Sequence, residues 1–145
     1  MQLKRYDTLS EFEKDTNIAV LAERIHQMLK PFEDTVDQIK TGLNDALTGK
    51  GMVTLSYSDD GSTVQAVCVM MKTGMEAYIP ENLLLYVAVD ASLRGQGIGR
   101  KILTESFAAC EGDIKLHVEH DNPAVRLYER LGFTSKYKEM RLERG

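Results

Sequence analysis

Glycines at positions 95, 97 and 99, flanked by Arg94 and Arg100, have the composition of an anion site. They follow a near-continuous apolar run, Leu83-Leu84-Leu85-Tyr86-Val87-Ala88-Val89, and a short link, Asp90-Ala91-Ser92-Leu93. They precede a helical pattern in which Ile98, Ile102, Leu103, Phe107 and Cys110 share one face. A buried strand that turns through glycines into a helix presents the first N–H groups of that helix to solvent. Those groups have no partner inside the helix and carry its positive end, so a phosphate or pyrophosphate can sit on them. Glycine lets the backbone approach the anion closely and take up dihedrals that a side chain disfavours. Arg94 and Arg100 bring positive charge to both sides of the turn.

The rest of the chain has to position that turn. A length of 145 residues predicts a single domain over 1–145 with one sizeable core. An apolar content of 43% and a charged content of 28% are those of an ordinary globular protein. No apolar run approaches a membrane span and Met1 to Asp7 has no apolar leader segment, so a soluble, unprocessed cytoplasmic chain without a membrane partner is expected. The net charge of −4 argues against a nucleic-acid partner. Its distribution is uneven: 8 basic and 14 acidic residues lie before Arg94, against 10 basic and 8 acidic from Arg94 onward. The half that holds the glycine turn suits an anionic ligand, and the acidic half suits a cationic one or a solvated surface. Cys68, in an apolar run, and Cys110, near a helix end, lack metal-ligating neighbours and read as structural thiols.

Leu3 to Tyr6 predicts a short strand, and Ser10 to Glu13 has the spacing of a capping box with Leu9 as its staple. Ile18, Leu21, Ala22, Ile25, Met28 and Leu29 form one helix face. Pro31 opens a second expected helix, with Glu33 and Asp34 suited to its dipole and Phe32, Val36, Ile39, Leu43 and Leu47 on its apolar face. Met52 to Tyr57, the turn cluster Ser58 to Ser62, and Thr63 to Met71 predict a β-hairpin. Leu83 to Val89, apolar at both parities, predicts a central strand covered on both faces. Ile114 to Glu119 alternates as a strand does, Asn122-Pro123 starts another helix, and Phe133 to Leu142 offers one or two last strands. The order predicts an α/β fold: a mixed sheet with helices on both faces, parallel where helices connect strands.

A dinucleotide-binding reading of the turn fails, because Gly95-Gln96-Gly97-Ile98-Gly99 lacks the third glycine of G-x-G-x-x-G and lies late in the chain. The stretch Val87-Ala88-Val89-Asp90 leading to Arg94-Gly95-Gln96-Gly97-Ile98-Gly99 instead resembles the Q/R-x-x-G-x-G/A motif of the Gcn5-related N-acetyltransferase (GNAT) family. Asn122-Pro123-Ala124-Val125-Arg126-Leu127-Tyr128-Glu129-Arg130-Leu131-Gly132-Phe133 resembles that family's second helix motif, N-x-x-A-x-x-L-Y-E-x-x-G-F. In this order and spacing the pair is specific, closely over Leu83 to Phe133 and loosely over almost the whole chain. The resemblance implies a mostly antiparallel GNAT-like sheet whose central strands splay to hold acetyl-CoA. It places the pyrophosphate on the backbone N–H groups of Gln96, Gly97, Ile98, Gly99, Arg100 and Arg94, with Gly95 in the turn. The pantetheine arm runs along Val87 and Val89, and Asn122 contacts it. The acceptor amine, on a small molecule or a protein, enters past the two amino-terminal helices.

The implied chemistry is attack by a neutral amine on a thioester. A base must take a proton from the amine, an acid must help the thiolate leave, and the oxyanion needs a donor. Tyr128 matches the family tyrosine that acts as the acid or holds the thiol. The family asparagine stands seven positions before that tyrosine, whereas Asn122 stands six before Tyr128 and Asp121 occupies the usual spacing. For the base, His117 resembles the position where ribosomal-protein N-terminal acetyltransferases carry a glutamate, and a histidine titrates near neutrality. Glu119, Glu81 and Tyr86 are the other candidates, while His26 and His120 read as structural or solvated. Many relatives dimerise, which leaves a homodimer open. The other class of function is a noncatalytic acyl-CoA-binding regulatory module, which would not need Tyr128.

Overall fold

The computed structural model describes residues 2–145. Strand β1 (Gln2–Thr8) leads into helices α1 (Leu9–Glu13), α2 (Ile18–Leu29) and α3 (Val36–Leu47). The hairpin β2 (Thr48–Tyr57) and β3 (Val64–Lys72) follows, then β4 (Asn82–Val89), α4 (Ile98–Ala108), β5 (Ile114–Leu116) and α5 (Ala124–Arg130). The five strands lie in sequence order, antiparallel from β1 to β4 and parallel between β4 and β5. The parallel pair is the one joined by a helical crossover, as its geometry requires.

The sheet separates two apolar layers. Phe12, Leu21, Ile25, Ile39 and Leu43 from α1 to α3 pack with Val53, Leu55, Val67 and Val69 on one face. On the other, Ile102 and Leu103 of α4 pack with Ala66, Cys68, Met70 and Leu84, joined by Leu127 and Tyr128 of α5. Coverage on both faces is why Leu83 to Val89 reads as apolar at both parities.

Four expectations change. The second helix starts at Val36 rather than Pro31, because Thr35 and Gln38 form a reciprocal capping box: Gln38 N–H donates to Thr35 Oγ1 at 3.1 Å, and Thr35 N–H to Gln38 Oε1 at 2.9 Å. Two satisfied orphan donors outweigh the fixed φ of a proline. The first cap is Thr8, whose oxygen accepts from Glu11 N–H at 3.3 Å, so Leu9 is the first helical residue and not a staple. Strand β5 ends at Leu116, short of Glu119, and residues 133–145 form no strand. Ring contacts of Phe133 with Phe107 and Tyr128 end the packed chain, and Tyr137, Met140 and Leu142 beyond it are exposed. No helix among the described residues is long and apolar enough to cross a membrane.

Surface carboxylates tie the connections down. Asp90 accepts from Ser92 N–H at 2.9 Å, from Ser92 Oγ at 2.6 Å and from Arg24 at 2.5 Å. Ser92, then Arg24, hold its carboxyl well below the usual carboxylate range. Hydrogen bonds from Ser58 and Ser62 hold Asp60 at about 2, and Lys4 and Tyr6 lower Asp15. A carboxylate whose folded pKa is depressed stabilises the fold above its unfolded value, near 4, and loses that contribution as pH falls through the folded value. The melting temperature is therefore expected to fall between about pH 4 and pH 2. Asp90→Asn should make that acid limb shallower, as thermal melts followed by circular dichroism would show.

Candidate active site

The register between β3 and β4 slips at one place: Val69 faces Tyr86, Met70 faces Leu84, and Leu85 is passed over. Leu85 is a bulge, and the parity of β4 changes there. Leu84 packs on the α4 face, Leu85 and Tyr86 both on the α2/α3 face, and Val87 and Val89 again on the α4 face. Bulges of this kind bend a strand and increase its twist.

Strand β5 pairs with β4 only up to that point, through Asn82–Ile114, Leu83–Lys115 and Leu84–Leu116. The closed end is pinned by Asn82, which is 6% exposed and donates from Nδ2 to the carbonyls of Glu111 at 2.7 Å and Asp113 at 3.2 Å. From Leu85 to Val89 the β5-facing edge of β4 pairs with no strand among the described residues. That free edge is roughly 16 Å long, an extended surface on which an amide-bearing chain could pair. Val87 and Val89 stand on it.

The edge ends at the glycine turn. Gly97 has φ +80°, in the left-handed region, and precedes α4 without a side-chain cap. The N–H groups of Ile98, Gly99 and Arg100 occupy the first turn, where no intrahelical acceptor exists. A Cβ placed on Gly95 or Gly97 would meet no protein atom within 4 Å, so the turn is open there. Gly99 differs from those two: it lies in α4, and a Cβ there would make ordinary contacts at 3.6 Å with Leu127 and Val89. Gln96 and Arg100 are exposed beside the turn. Arg94 is committed elsewhere, its guanidinium donating to Met28 O at 2.6 Å and Val89 O at 3.4 Å. It ties the end of α2 to the turn, and Arg24 does the same from Asp90 and Val64 O.

Tyr128, half-buried on α5, has a ring contact with Phe133 and a hydroxyl that donates to no other described residue. Burial first, then the nearby Cys68 and Glu119, push its pKa up to about 12. It therefore holds its proton throughout the physiological range and is a hydrogen-bond donor there. Asn122 Oδ1 accepts from Ala124 N–H at 2.9 Å, so this side chain caps α5 and has its Nδ2 for a further contact. Asp121 is exposed in the preceding turn. His117 is exposed one residue beyond β5, where it makes no hydrogen bond to a described residue, and Glu119 lies farther along the same segment. Glu81 lies at the closed end of the wedge against Gly112, away from the bulge. His26 is structural: its Nδ1 donates to Asp34 O at 2.9 Å. Both thiols are free, and burial pushes Cys68 up to about 12.

The roles of Asn82, Arg24 and Gly42 were not legible in the sequence, because each depends on a partner distant along the chain. A Cβ on Gly42 would lie 2.8 Å from Leu85 Cδ2 and 3.4 Å from Tyr86 Cε2, so α3 rests directly on the bulge. A polar residue at the start of an apolar strand was the only signal for Asn82.

A mixed sheet opened at a parallel pair, with an uncapped glycine turn at the end of the opening, is the architecture of an acyl-CoA-dependent acetyltransferase. Residues 51–135 match the acetyltransferase (GNAT) domain, and the chain belongs to that family. No curated protein sequence matches it. Its fold is similar to the aminoglycoside antibiotic 6'-N-acetyltransferase AAC(6')-IG of Acinetobacter haemolyticus, at 15% identity and a TM-score of 0.69 over 100% of this chain and 99% of that one. A transcriptional regulator from Bacillus halodurans C-125 is also similar, at 15% identity and 0.71 over 98% and 99%. An integron cassette protein from Vibrio cholerae matches at 17% identity and 0.67 over 99% and 92%. The fold is thus shared by proteins of different described roles, and acceptor specificity has to be argued from the site.

Proposed function

We propose that this chain transfers an acetyl group from acetyl-CoA directly to a primary amine within a ternary complex. The observation that supports it best is the unpaired edge of β4 running from the Leu85 bulge to the uncapped first turn of α4. The N–H groups from Gly97 to Arg100 hold the pyrophosphate, and the edge at Val87 and Val89 pairs with the pantetheine amides. Asn122 steadies the same arm through its Nδ2. The bulge at Leu85, without a ladder partner on either side, supplies the backbone donor for the oxyanion. Tyr128 donates to the departing thiolate. Since that phenol is the weaker acid, it helps mainly by a hydrogen bond. His117, one residue beyond β5, is one candidate to take the amine's proton, directly or through water. The acceptor approaches from the α2/α3 face, where the acidic amino-terminal half favours a cationic amine.

A thiol-release assay with acetyl-CoA and a panel of amines, including peptides with free N-termini, polyamines and aminoglycosides, tests this reading. Tight cofactor binding by calorimetry with no thiol release across the panel would favour the noncatalytic binding module. Tyr128→Phe is expected to lower kcat by about 100-fold with little change in the KM for acetyl-CoA. Full turnover in that variant would remove Tyr128 from the leaving-group role.

A further inference from the structure

Tyr86 is the only polar side chain on the free edge of β4, and it follows the bulge residue directly. Its hydroxyl donates to Asp34 Oδ2 at 2.7 Å. Tyr86 is 8% exposed, whereas Asp34 is open to solvent in the segment joining α2 to α3. Asp34 is held from two directions, since its backbone carbonyl takes the Nδ1–H of His26 at 2.9 Å. The close rest of Gly42 on Leu85 and the Tyr86 ring restricts the hydroxyl further. The carboxylate therefore has a fixed position beside the bulge. No lysine or arginine among the described residues lies within ion-pair distance of it, although Arg141 is near enough to feel its charge.

The two tyrosines of the wedge lie on opposite faces of the sheet. Tyr128 packs with the α4 layer and Tyr86 with the α2/α3 layer. In acyl transfer the leaving group and the nucleophile need separate proton handling, and these two hydroxyls belong to separate layers. We infer that Tyr86, with Asp34 behind it, receives the proton of the attacking amine. The inference rests on the acyl-transfer reading above.

The amine nitrogen adds to the thioester carbonyl, forming the C–N bond and leaving an N–H proton on a positively charged nitrogen. That proton passes to Tyr86 Oη while the tyrosine's own proton passes to the Asp34 carboxylate. The adduct then collapses, the C–S bond breaks, and the thiolate is protonated on the Tyr128 side or from water. Asp34, exposed, returns its proton to solvent. Amine and thioester become amide and thiol, with no other reactant. Burial and the Asp34 charge both raise the Tyr86 pKa, so a phenol that passes one proton on as it gains another fits this position better than one that ionises. His117, one residue beyond β5, makes no hydrogen bond to a described residue that would fix it.

The simpler possibility is that the bond only anchors the α2–α3 segment, and Asp34→Asn separates the two. The asparagine oxygen still accepts from Tyr86, but it takes no proton. With acetyl-CoA and 1,4-diaminobutane or an N-terminally free peptide as probe, Tyr86→Phe should lower kcat by about 100-fold and Asp34→Asn by at least about tenfold. Acetyl-CoA affinity by calorimetry and the melting temperature should be nearly unchanged. The double variant should be no slower than Tyr86→Phe alone. Full activity in Asp34→Asn overturns the relay, as does a hundredfold loss in His117→Ala with none in Tyr86→Phe. Losses that merely track a lowered melting temperature also count against it. Wild-type protein that binds acetyl-CoA and acetylates neither the probes nor any amine of the wider panel refutes the transfer reading itself. Transfer that persists undiminished in both single variants refutes only the relay.

Discussion

Gly97→Val is expected to remove coenzyme A binding at concentrations that saturate the wild type, while the sheet stays folded. Gly97 sits at φ +80° at the cap position of α4, where a β-branched residue is strained by roughly 1–2 kcal/mol. The protein offers no steric objection, since a Cβ there meets nothing within 4 Å. In the proposed site that space adjoins the N–H groups that hold the pyrophosphate. A valine would both tilt the first-turn N–H groups and stand between them and the phosphate. Losing two charge-assisted hydrogen bonds of about 1.5 kcal/mol each lowers affinity by at least about a hundredfold. Calorimetric titration with coenzyme A would measure it, with a thermal melt to show that the loss is local. Undiminished affinity would take the pyrophosphate off this turn.

The second large effect is on folding. Gly51→Ala places a Cβ 1.9 Å from Met70 O, 3.0 Å from Met70 C and 3.1 Å from Met71 Cα. All three are backbone atoms of β3, so no rotamer change relieves the clash. Gly51 pairs with Met71, next to the point where the β3–β4 register slips between Val69 and Met70. The absence of a side chain at 51 is thus what lets β2 lie this close to β3. Separating the strands should cost about 3 kcal/mol or more, with a drop in melting temperature of roughly 10 °C. Because the strain falls beside the bulge, acetyl-CoA affinity should fall together with stability. A variant as stable as the wild type would show that β2 and β3 can part at no cost.

The amino-acid sequence by itself determined the local parts of the site. The run from Leu83 to Val89, the open turn around Gly97 and the helix carrying Tyr128 are written in neighbouring residues, and apolar periodicity and glycine positions suffice to place them. At the second helix the local signal misled because a competing local bond won: the Thr35–Gln38 capping box displaced the start expected at Pro31. The alternation after Ile114 continues to Glu119, but the strand stops at Leu116, where its pairing with β4 ends. The tertiary structure alone decided what happens between distant segments. The bulge at Leu85, the three-residue pairing of β5, the Asn82 pin and the Asp34–Tyr86 bond each join residues far apart along the chain. A ladder's register and a cleft's width are set by which strands meet and where they part. No periodicity within one segment encodes that.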